Sequence, residues 1–303
     1  MRRGTYSIVA SDPGTGEIGV AAQSHWFGVG AIVPWAVADV GAVATQAIAE
    51  PAFGPRALEL LRAGVDADEA LGRLLRADPQ EEVRQVAVLD AAGGVAAHTG
   101  TSCIEYAGHR EGDGFSCQAN MMAHSTAPDA MAEAFERAPG ALAPRLLAAL
   151  EAAEAEGGDV RGQQSAALVV VAAGDEPWRR AIDLRVDEHA EPLRELGRML
   201  GLHHAYELAA RADQLLAEGR YAEAAPLYDR ASELAPGSDE LLFWAGLGLA
   251  QAGDVSGGAD RVRAAVANGG DRWTELLARL PPELAPAAPA VRDALRGGAG
   301  GAD

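Results

Sequence analysis

The sequence predicts an α+β layered sandwich over residues 1–190 and a small all-α domain over residues 202–280. Three observations support this prediction. Short apolar runs joined by turn residues are typical of strands, and segments with leucines at helical spacing are typical of helices. From about Leu202 onwards the chain is rich in Ala and Leu and helical in period. The order of two hairpins, two helices, further strands, two helices and a closing strand pair predicts packed layers.

The first predicted element is a β-hairpin. Its two apolar runs, Thr5–Ala10 and Ile18–Gln23, are joined by a turn segment over residues 12–16 that contains Pro and two Gly. Pro and Gly supply the backbone angles that a tight turn needs. Further apolar runs predict strands at Ala31–Val37, Val40–Thr45, Gln85–Leu89, Val95–His98, Ser165–Ala172 and Ala181–Val186.

Four helices are predicted among these strands, at Pro55–Arg62, Ala67–Arg76, Pro128–Arg137 and Leu142–Ala155. Asp66 precedes the second helix, where its carboxylate can accept a hydrogen bond from a backbone N–H of the first turn. The polar segment from Gly100 to Asn120 has no clear apolar run, so we expect it to be rich in loops.

The C-terminal region contains a 34-residue repeat. Its first unit, with Gly219, Tyr221, Ala224, Tyr228 and Ala231, resembles the tetratricopeptide repeat, and its second unit is degenerate. We therefore expect a connecting helix or linker at 191–201, a tetratricopeptide-like module at 202–280 that binds a protein partner, and a partly disordered Pro/Gly-rich tail at 281–303. A generic helical appendage without a ligand is the alternative.

Composition excludes several functions. The net charge of −19 argues against nucleic-acid binding, which requires clustered cations. The chain contains no lysine, which excludes lysine bases and phosphate-loop lysines. Cys103 and Cys117 show no zinc-ligand or disulfide-rich spacing, so we expect no metal, no cofactor and a reduced cytoplasmic location. No apolar run is long enough to cross a bilayer, so we expect no membrane association.

Thr5 is the leading candidate for a catalytic residue. A threonine at the start of a chain can use its α-amine as a base and its hydroxyl as a nucleophile. Gly4 precedes it and permits strained backbone angles, and the apolar strand that follows can hold it rigidly. Because Arg2 follows Met1, methionine removal is not expected to expose Thr5, and cleavage between Gly4 and Thr5 is required. The alternative is that Thr5 simply begins a strand.

Other polar residues lie where predicted strands begin or end. His98 and Thr99 could face a cleft, or could lie on the surface. Gln118 and Asn120 could donate to a substrate carbonyl, or could hold an irregular loop. The segment after Gly157 and Gly158 could orient an ammonium and a carboxylate, or could be a solvated turn; its candidate residues are Asp159, Arg161, Gln164 and Ser165.

Many separated motifs together resemble the bacterial domain-of-unknown-function family ten-twenty-eight, which has an N-terminal-nucleophile (Ntn) hydrolase-like fold. They lie at residues 5–10, 33–36, 41–46, 97–100, 103, 107–109, 118–120, 157–159 and 161–168. The resemblance covers residues 5 to about 190 and implies a four-layer αββα sandwich. It also adds Thr45, Gln46 and His109 to the candidate substrate-binding residues.

The resemblance implies an amidohydrolase that acts on a small amide or peptide-like substrate, with Thr5 as nucleophile after removal of residues 1–4. Two alternatives stay open. In the first, the chain is a non-catalytic ligand-binding or scaffold protein that keeps the Ntn-like fold and recruits a partner through its helical module. In the second, His98 or His109 activates another nucleophile, Ser7 or Ser165. A homodimer is an assembly state that the sequence leaves open.

Overall fold

The structure is a computed structural model that describes residues 4–297. The chain divides into two compact units, with the division between Arg198 and Met199. The first unit contains two antiparallel β-sheets and four helices that pack on them. The second unit is helical, which agrees with the expected all-α region.

Six strands form the larger sheet of the first unit: β1 (Thr5–Asp12), β2 (Glu17–Ser24), β7 (Gly108–Gly112), β8 (Phe115–Asn120), β9 (Ser165–Val171) and β10 (Ile182–Val186). Their order in the sheet is β10-β9-β2-β1-β8-β7. The hairpin of β1 and β2 lies at its centre and pairs Thr5 with Ser24 and Asp12 with Glu17. β1 also pairs with β8, with Thr5 opposite Asn120.

The smaller sheet has four strands in chain order: β3 (Pro34–Val37), β4 (Gly41–Ala47), β5 (Arg84–Asp90) and β6 (Val95–Thr99). The two sheets pack face to face through aliphatic side chains such as Val20 and Val169 from one sheet and Ala44 and Leu89 from the other. Burying these alternating apolar positions removes them from water on one face of each sheet.

Helices cover the outer face of each sheet. α1 (Phe53–Arg62) and α2 (Ala67–Arg76) pack on the four-stranded sheet, and α3 (Ala127–Arg137) and α4 (Leu142–Ala155) pack on the six-stranded sheet. The layers of the first unit therefore run helix, sheet, sheet, helix. The Asp66 carboxylate accepts a hydrogen bond from the Glu69 N–H at 2.9 Å, which confirms the predicted cap.

The predicted loop from Gly100 to Asn120 is wrong in its second half. Residues 108–112 and 115–120 form β7 and β8, and every residue of β8 is buried. The polar side chains of Ser116, Gln118 and Asn120 alternate with apolar ones along β8. A search for apolar runs does not recognise such a strand, because the side chains on one of its faces join a buried polar network rather than an apolar core.

The second unit consists of helices joined by turns, with Gly219 and Gly253 at two of them, where positive φ angles favour glycine. Residues 192–201 of the predicted linker are helical, and residues 288–297 of the predicted tail form α10, with Ala288 and Val291 buried. Residues 298–303 of that tail lie outside the described residues. The helices from Pro192 onwards are α5 (Pro192–Ala217), α6 (Tyr221–Leu234), α7 (Asp239–Gln251), α8 (Val255–Gly269), α9 (Arg272–Arg279) and α10 (Ala288–Gly297).

The helices formed within residues 4–297 lack the combination of length and hydropathy that spanning a membrane requires.

Candidate functional site

Thr5 begins β1 and is buried, with 1% of its surface exposed. Its hydroxyl lies 2.6 Å from the Gly4 carbonyl oxygen and 3.0 Å from Ser24 Oγ, two acceptors for its single proton. The Ser24 hydroxyl in turn donates to the Gly4 carbonyl oxygen at 2.5 Å. Ser24 reaches this position because the hairpin pairs it directly with Thr5, so both side chains point to the same face of the sheet.

Arg161 is a third donor to the Gly4 carbonyl oxygen, through Nη2 at 3.0 Å. Its guanidinium is oriented by Asp159, which accepts from Nε at 3.0 Å and from Nη2 at 2.7 Å. The Asp159 carboxylate is fully buried and also accepts from the Arg161 backbone N–H. A bidentate pair of this kind fixes the guanidinium plane, and thereby the direction in which it donates.

The Asp159 carboxylate also determines which residue fits at position 4. A β-carbon on Gly4 would lie 2.5 Å from Asp159 Oδ2 and 2.8 Å from Asp159 Cγ. Only glycine therefore allows the backbone to approach the carboxylate this closely.

Three polar groups thus surround one backbone carbonyl oxygen. The donors from Ser24 and Arg161 lie where negative charge would develop if the Gly4 carbonyl carbon were attacked, and the Thr5 hydroxyl is the adjacent nucleophile. Preorganised donors at such a position are the structural requirement for stabilising an oxyanion. The arrangement can polarise the peptide bond between Gly4 and Thr5.

A buried network of side-chain amides holds the other side of Thr5. The Thr5 carbonyl oxygen accepts from Gln46 Nε2 at 3.2 Å and from Asn120 Nδ2 at 3.3 Å. Both amides also donate to Gln85 Oε1, at 2.8 Å and 2.9 Å. Gln118 Nε2 donates to Ser7 Oγ at 2.6 Å, and Ser7 donates to Gln46 Oε1 at 2.6 Å.

The network continues to the surface through Gln85. Gln85 Nε2 donates to Thr99 Oγ1 at 2.9 Å, and Thr99 Oγ1 lies 2.8 Å from Nδ1 of the exposed His109. Thr99 and His109 are therefore linked to Thr5 through Gln85 and its amide partners, and neither contacts Thr5 directly.

Four predicted site residues lie elsewhere. Thr45 faces the helices and donates to the Glu50 carbonyl oxygen at 3.2 Å. His98 Nε2 lies 2.9 Å from the Glu81 carbonyl oxygen, and Gln164 donates to Glu188 Oε2 at 2.7 Å. Ser165 is the cross-strand neighbour of Ser24, but its hydroxyl donates to the Trp26 carbonyl oxygen at 2.5 Å and accepts from the Val29 N–H.

Sequence reasoning missed two residues of the site, Ser24 and Gln85. The register of the predicted hairpin could have identified Ser24, because counting back from its turn places Ser24 opposite Thr5. Gln85 had no comparable signal, since it begins an apolar run and its partners come from distant segments.

A polar pair supports the outer side of β1. The Tyr6 hydroxyl donates to Glu154 Oε2 at 2.6 Å, and Gln163 Nε2 donates to Glu154 Oε1 at 2.9 Å. Burial, reinforced by the neighbouring Glu154 carboxylate, raises the pKa of Tyr6 well above its ordinary value. Tyr6 therefore stays protonated and keeps its role as a donor.

A cavity of about 400 Å³ adjoins the amide network and includes Asn120 in its wall. Two residues with left-handed backbone angles stand beside it: Ala47, with φ of 65°, and Met121, with φ of 60°. Such angles are unfavourable for residues other than glycine and occur often at functional sites. Within residues 4–297, no group of three or more His, Cys, Asp and Glu side chains is arranged to hold a metal ion.

A protein family and a solved structure match this chain. The sequence model of a family of unknown function, DUF1028, matches residues 5–196. The crystal structure of protein SPO2555 from Silicibacter pomeroyi, which carries the same family designation, is 32% identical in sequence. The alignment covers 65% of this chain and 88% of that one, with a TM-score of 0.60. No curated protein matches the chain.

Proposed function

The chain belongs to DUF1028, a family of unknown function, and from this premise we propose that it is an Ntn-type amidohydrolase with Thr5 as its nucleophile. The substrate class is a small amide or peptide-like compound. The helix, sheet, sheet, helix layering is the arrangement that an Ntn-like fold requires, and it supports the proposal.

One observation carries the proposal: the Gly4 carbonyl oxygen accepts hydrogen bonds from Ser24 and Arg161 while the Thr5 hydroxyl lies 2.6 Å away. A nucleophile, its target carbonyl and two oxyanion donors are thus assembled at one peptide bond. A threonine that only began a strand would need neither the donors nor the buried carboxylate that orients Arg161.

In the first step, Thr5 Oγ1 attacks the Gly4 carbonyl carbon, and Ser24 and Arg161 stabilise the oxyanion. The C–N bond then breaks and the hydroxyl proton passes to the Thr5 nitrogen, which leaves an ester between Gly4 and Thr5. Water hydrolyses this ester, releases the preceding segment with a carboxylate at Gly4 and restores the hydroxyl. The product has a free α-amine on Thr5.

In the second step, the free α-amine accepts the hydroxyl proton as Thr5 attacks the substrate carbonyl, and the proton then passes to the leaving nitrogen. The resulting acyl ester on Thr5 is hydrolysed by water. Gln46 and Asn120 hold the Thr5 carbonyl throughout, so the nucleophile keeps its orientation. Ser24 and Arg161 serve the substrate oxyanion as they served that of Gly4.

The test is a screen of small amides on wild-type protein of known N-terminus, followed by two matched variants. Thr5→Ala removes the nucleophile and abolishes turnover. Thr45→Ala removes an equally buried threonine whose hydroxyl donates to the Glu50 carbonyl oxygen, away from Thr5. We expect this variant to retain turnover. Hydrolysis that survives Thr5→Ala unchanged would point to another nucleophile.

The second candidate is a non-catalytic ligand-binding or scaffold protein. The observation that favours it is the burial of Thr5 behind Gly4, which leaves only 1% of its surface exposed in the uncleaved chain. The tetratricopeptide-like helical pairs would then recruit the partner. This candidate predicts that Thr5 keeps its peptide bond to Gly4 and that no amide is hydrolysed, whereas partner binding depends on residues 202–280. The cytoplasmic location and the homodimer stay predictions.

A further inference from the structure

The cavity beside Thr5 has walls that are uncharged and mostly apolar. We propose that this cavity, which we call the acyl pocket, binds the uncharged and largely apolar acyl part of the amide that the protein cleaves. The inference rests on the proposed function and names the substrate class of that site. At about 400 Å³, the acyl pocket lies in the lower part of the size range of small-molecule sites.

The pocket is joined to Thr5 through Asn120. Asn120 lies directly opposite Thr5 in the sheet, so the two side chains share a face. Asn120 Nδ2 also donates to the Thr5 carbonyl oxygen at 3.3 Å, and Asn120 is one of the residues that line the pocket. A single residue, Asn120, therefore contacts both the pocket and Thr5.

The walls contain no group that is charged at neutral pH. Ser102, Cys103 and Asn120 provide the polar surface, and burial raises the pKa of the Cys103 thiol, which keeps it neutral. The remaining wall is apolar and comes from Ala47, Ile48, Val83 and Ile104.

Arg84, which follows the wall residue Val83, is neutralised by Asp78. Arg84 Nε donates to Asp78 Oδ2 at 2.6 Å, and both side chains are buried. Arg84 also donates to the Ile48 carbonyl oxygen at 2.6 Å, and its own carbonyl accepts from the Cys103 thiol at 3.3 Å. This pair holds the pocket wall in place and offers no net charge to a ligand.

Selectivity for a neutral acyl group follows from desolvation. An ionised group that enters the pocket loses its water and finds no counterion, and this cost amounts to at least about 2.7 kcal/mol, or about a 100-fold weaker affinity. An alkyl chain of the same length leaves water for an apolar wall and is favoured.

The experiment measures how small amides protect Cys103 from alkylation by N-ethylmaleimide in the full-length protein. Three probes of equal chain length are compared: hexanamide, the carboxylate adipamate and the ammonium 6-aminohexanamide. Peptide mass spectrometry follows Cys103, and the fully buried Cys117 serves as an internal reference. At about ten times its Kd, hexanamide slows alkylation about tenfold, whereas the charged probes at the same concentration leave the rate unchanged.

Two variants test the location of the binding site. Ile104→Glu places a carboxylate in the pocket, so protection by hexanamide is lost and protection by 6-aminohexanamide appears. Tyr106→Glu adds the same charge nearby, on an exposed side chain outside the pocket lining. In this variant we expect the three probes to protect Cys103 to the same extents as in the wild type.

The test separates this inference from the proposed function. Equal protection by all three probes, or protection by none, overturns the acyl pocket even if Thr5 is the nucleophile. Protection by hexanamide alone in both wild type and Thr5→Ala supports the pocket, even if Thr5→Ala were to keep its amide turnover and thereby refute the proposed mechanism.

Discussion

Replacing Ser24 with alanine removes one of the two donors that stabilise the oxyanion at Gly4. The Thr5 hydroxyl is consumed as the nucleophile, so only Ser24 Oγ at 2.5 Å and Arg161 Nη2 at 3.0 Å stay on the carbonyl oxygen. Loss of one oxyanion donor lowers a rate about 10²- to 10³-fold. Because the charged Arg161 is kept, we expect the cleavage rate to fall by an amount near the lower limit, about 100-fold, which corresponds to about 2.7 kcal/mol in activation free energy.

The assay follows cleavage between Gly4 and Thr5 by intact-mass spectrometry over time, starting from freshly produced, uncleaved protein. Ser165→Ala is the matched control, because Ser165 is buried, faces the same side and is the cross-strand neighbour of Ser24, yet its hydroxyl binds the Trp26 carbonyl. We expect the control to cleave at nearly the wild-type rate. A Ser24→Ala variant that also cleaves at the wild-type rate would refute the assignment of Ser24 as an oxyanion donor.

Three further predictions concern the surroundings of Thr5. Gly4→Ala forces a β-carbon against the Asp159 carboxylate and stops cleavage in the intact-mass assay, whereas Gly201→Ala, with open space around its Cα, has no effect on it. Gln85→Met removes the hydrogen bonds of the Gln85 amide, whose Oε1 accepts two and whose Nε2 shares its two protons among three acceptors. Because the partners keep some alternatives, the free energy of unfolding in urea falls by about 2–4 kcal/mol, and a loss below about 0.5 kcal/mol contradicts the network. Because burial raises the pKa of Cys103, its thiol ionises at higher pH in the folded than in the unfolded chain, and stability falls as the pH rises past the unfolded pKa. The rate of Cys103 alkylation should therefore reach half its maximum at a higher pH in the folded protein than in urea. Coinciding pH profiles of the two alkylation rates contradict this.

Strands with two apolar faces were the easiest to predict. β9 is a nearly continuous apolar run because one side packs on the opposite sheet and the other on a helix. β8 escaped prediction although it is buried throughout, since its inward side carries the amides and hydroxyl of the network. Hydrophobicity cannot distinguish a polar strand that faces other polar strands from a loop.

The same limit applies to the site. Thr45 and Gln46 are adjacent on β4, so only one of them can face the other sheet. The structure places Gln46 in the network and Thr45 toward the helices, a choice that depends on which sheet face each helix pair covers. Asp159 and Arg161 were predicted from their residue types and their position before a predicted strand, but their arrangement around the Gly4 carbonyl required the fold.

The most direct test of the account is the N-terminus of the purified protein, measured by intact mass together with N-terminal sequencing. We expect the wild-type chain to begin at Thr5, with a free α-amine, and the Thr5→Ala chain to keep Gly4 and the residues before it. A wild-type chain that retains Gly4 under every maturation condition tested would contradict the account and favour the ligand-binding or scaffold function.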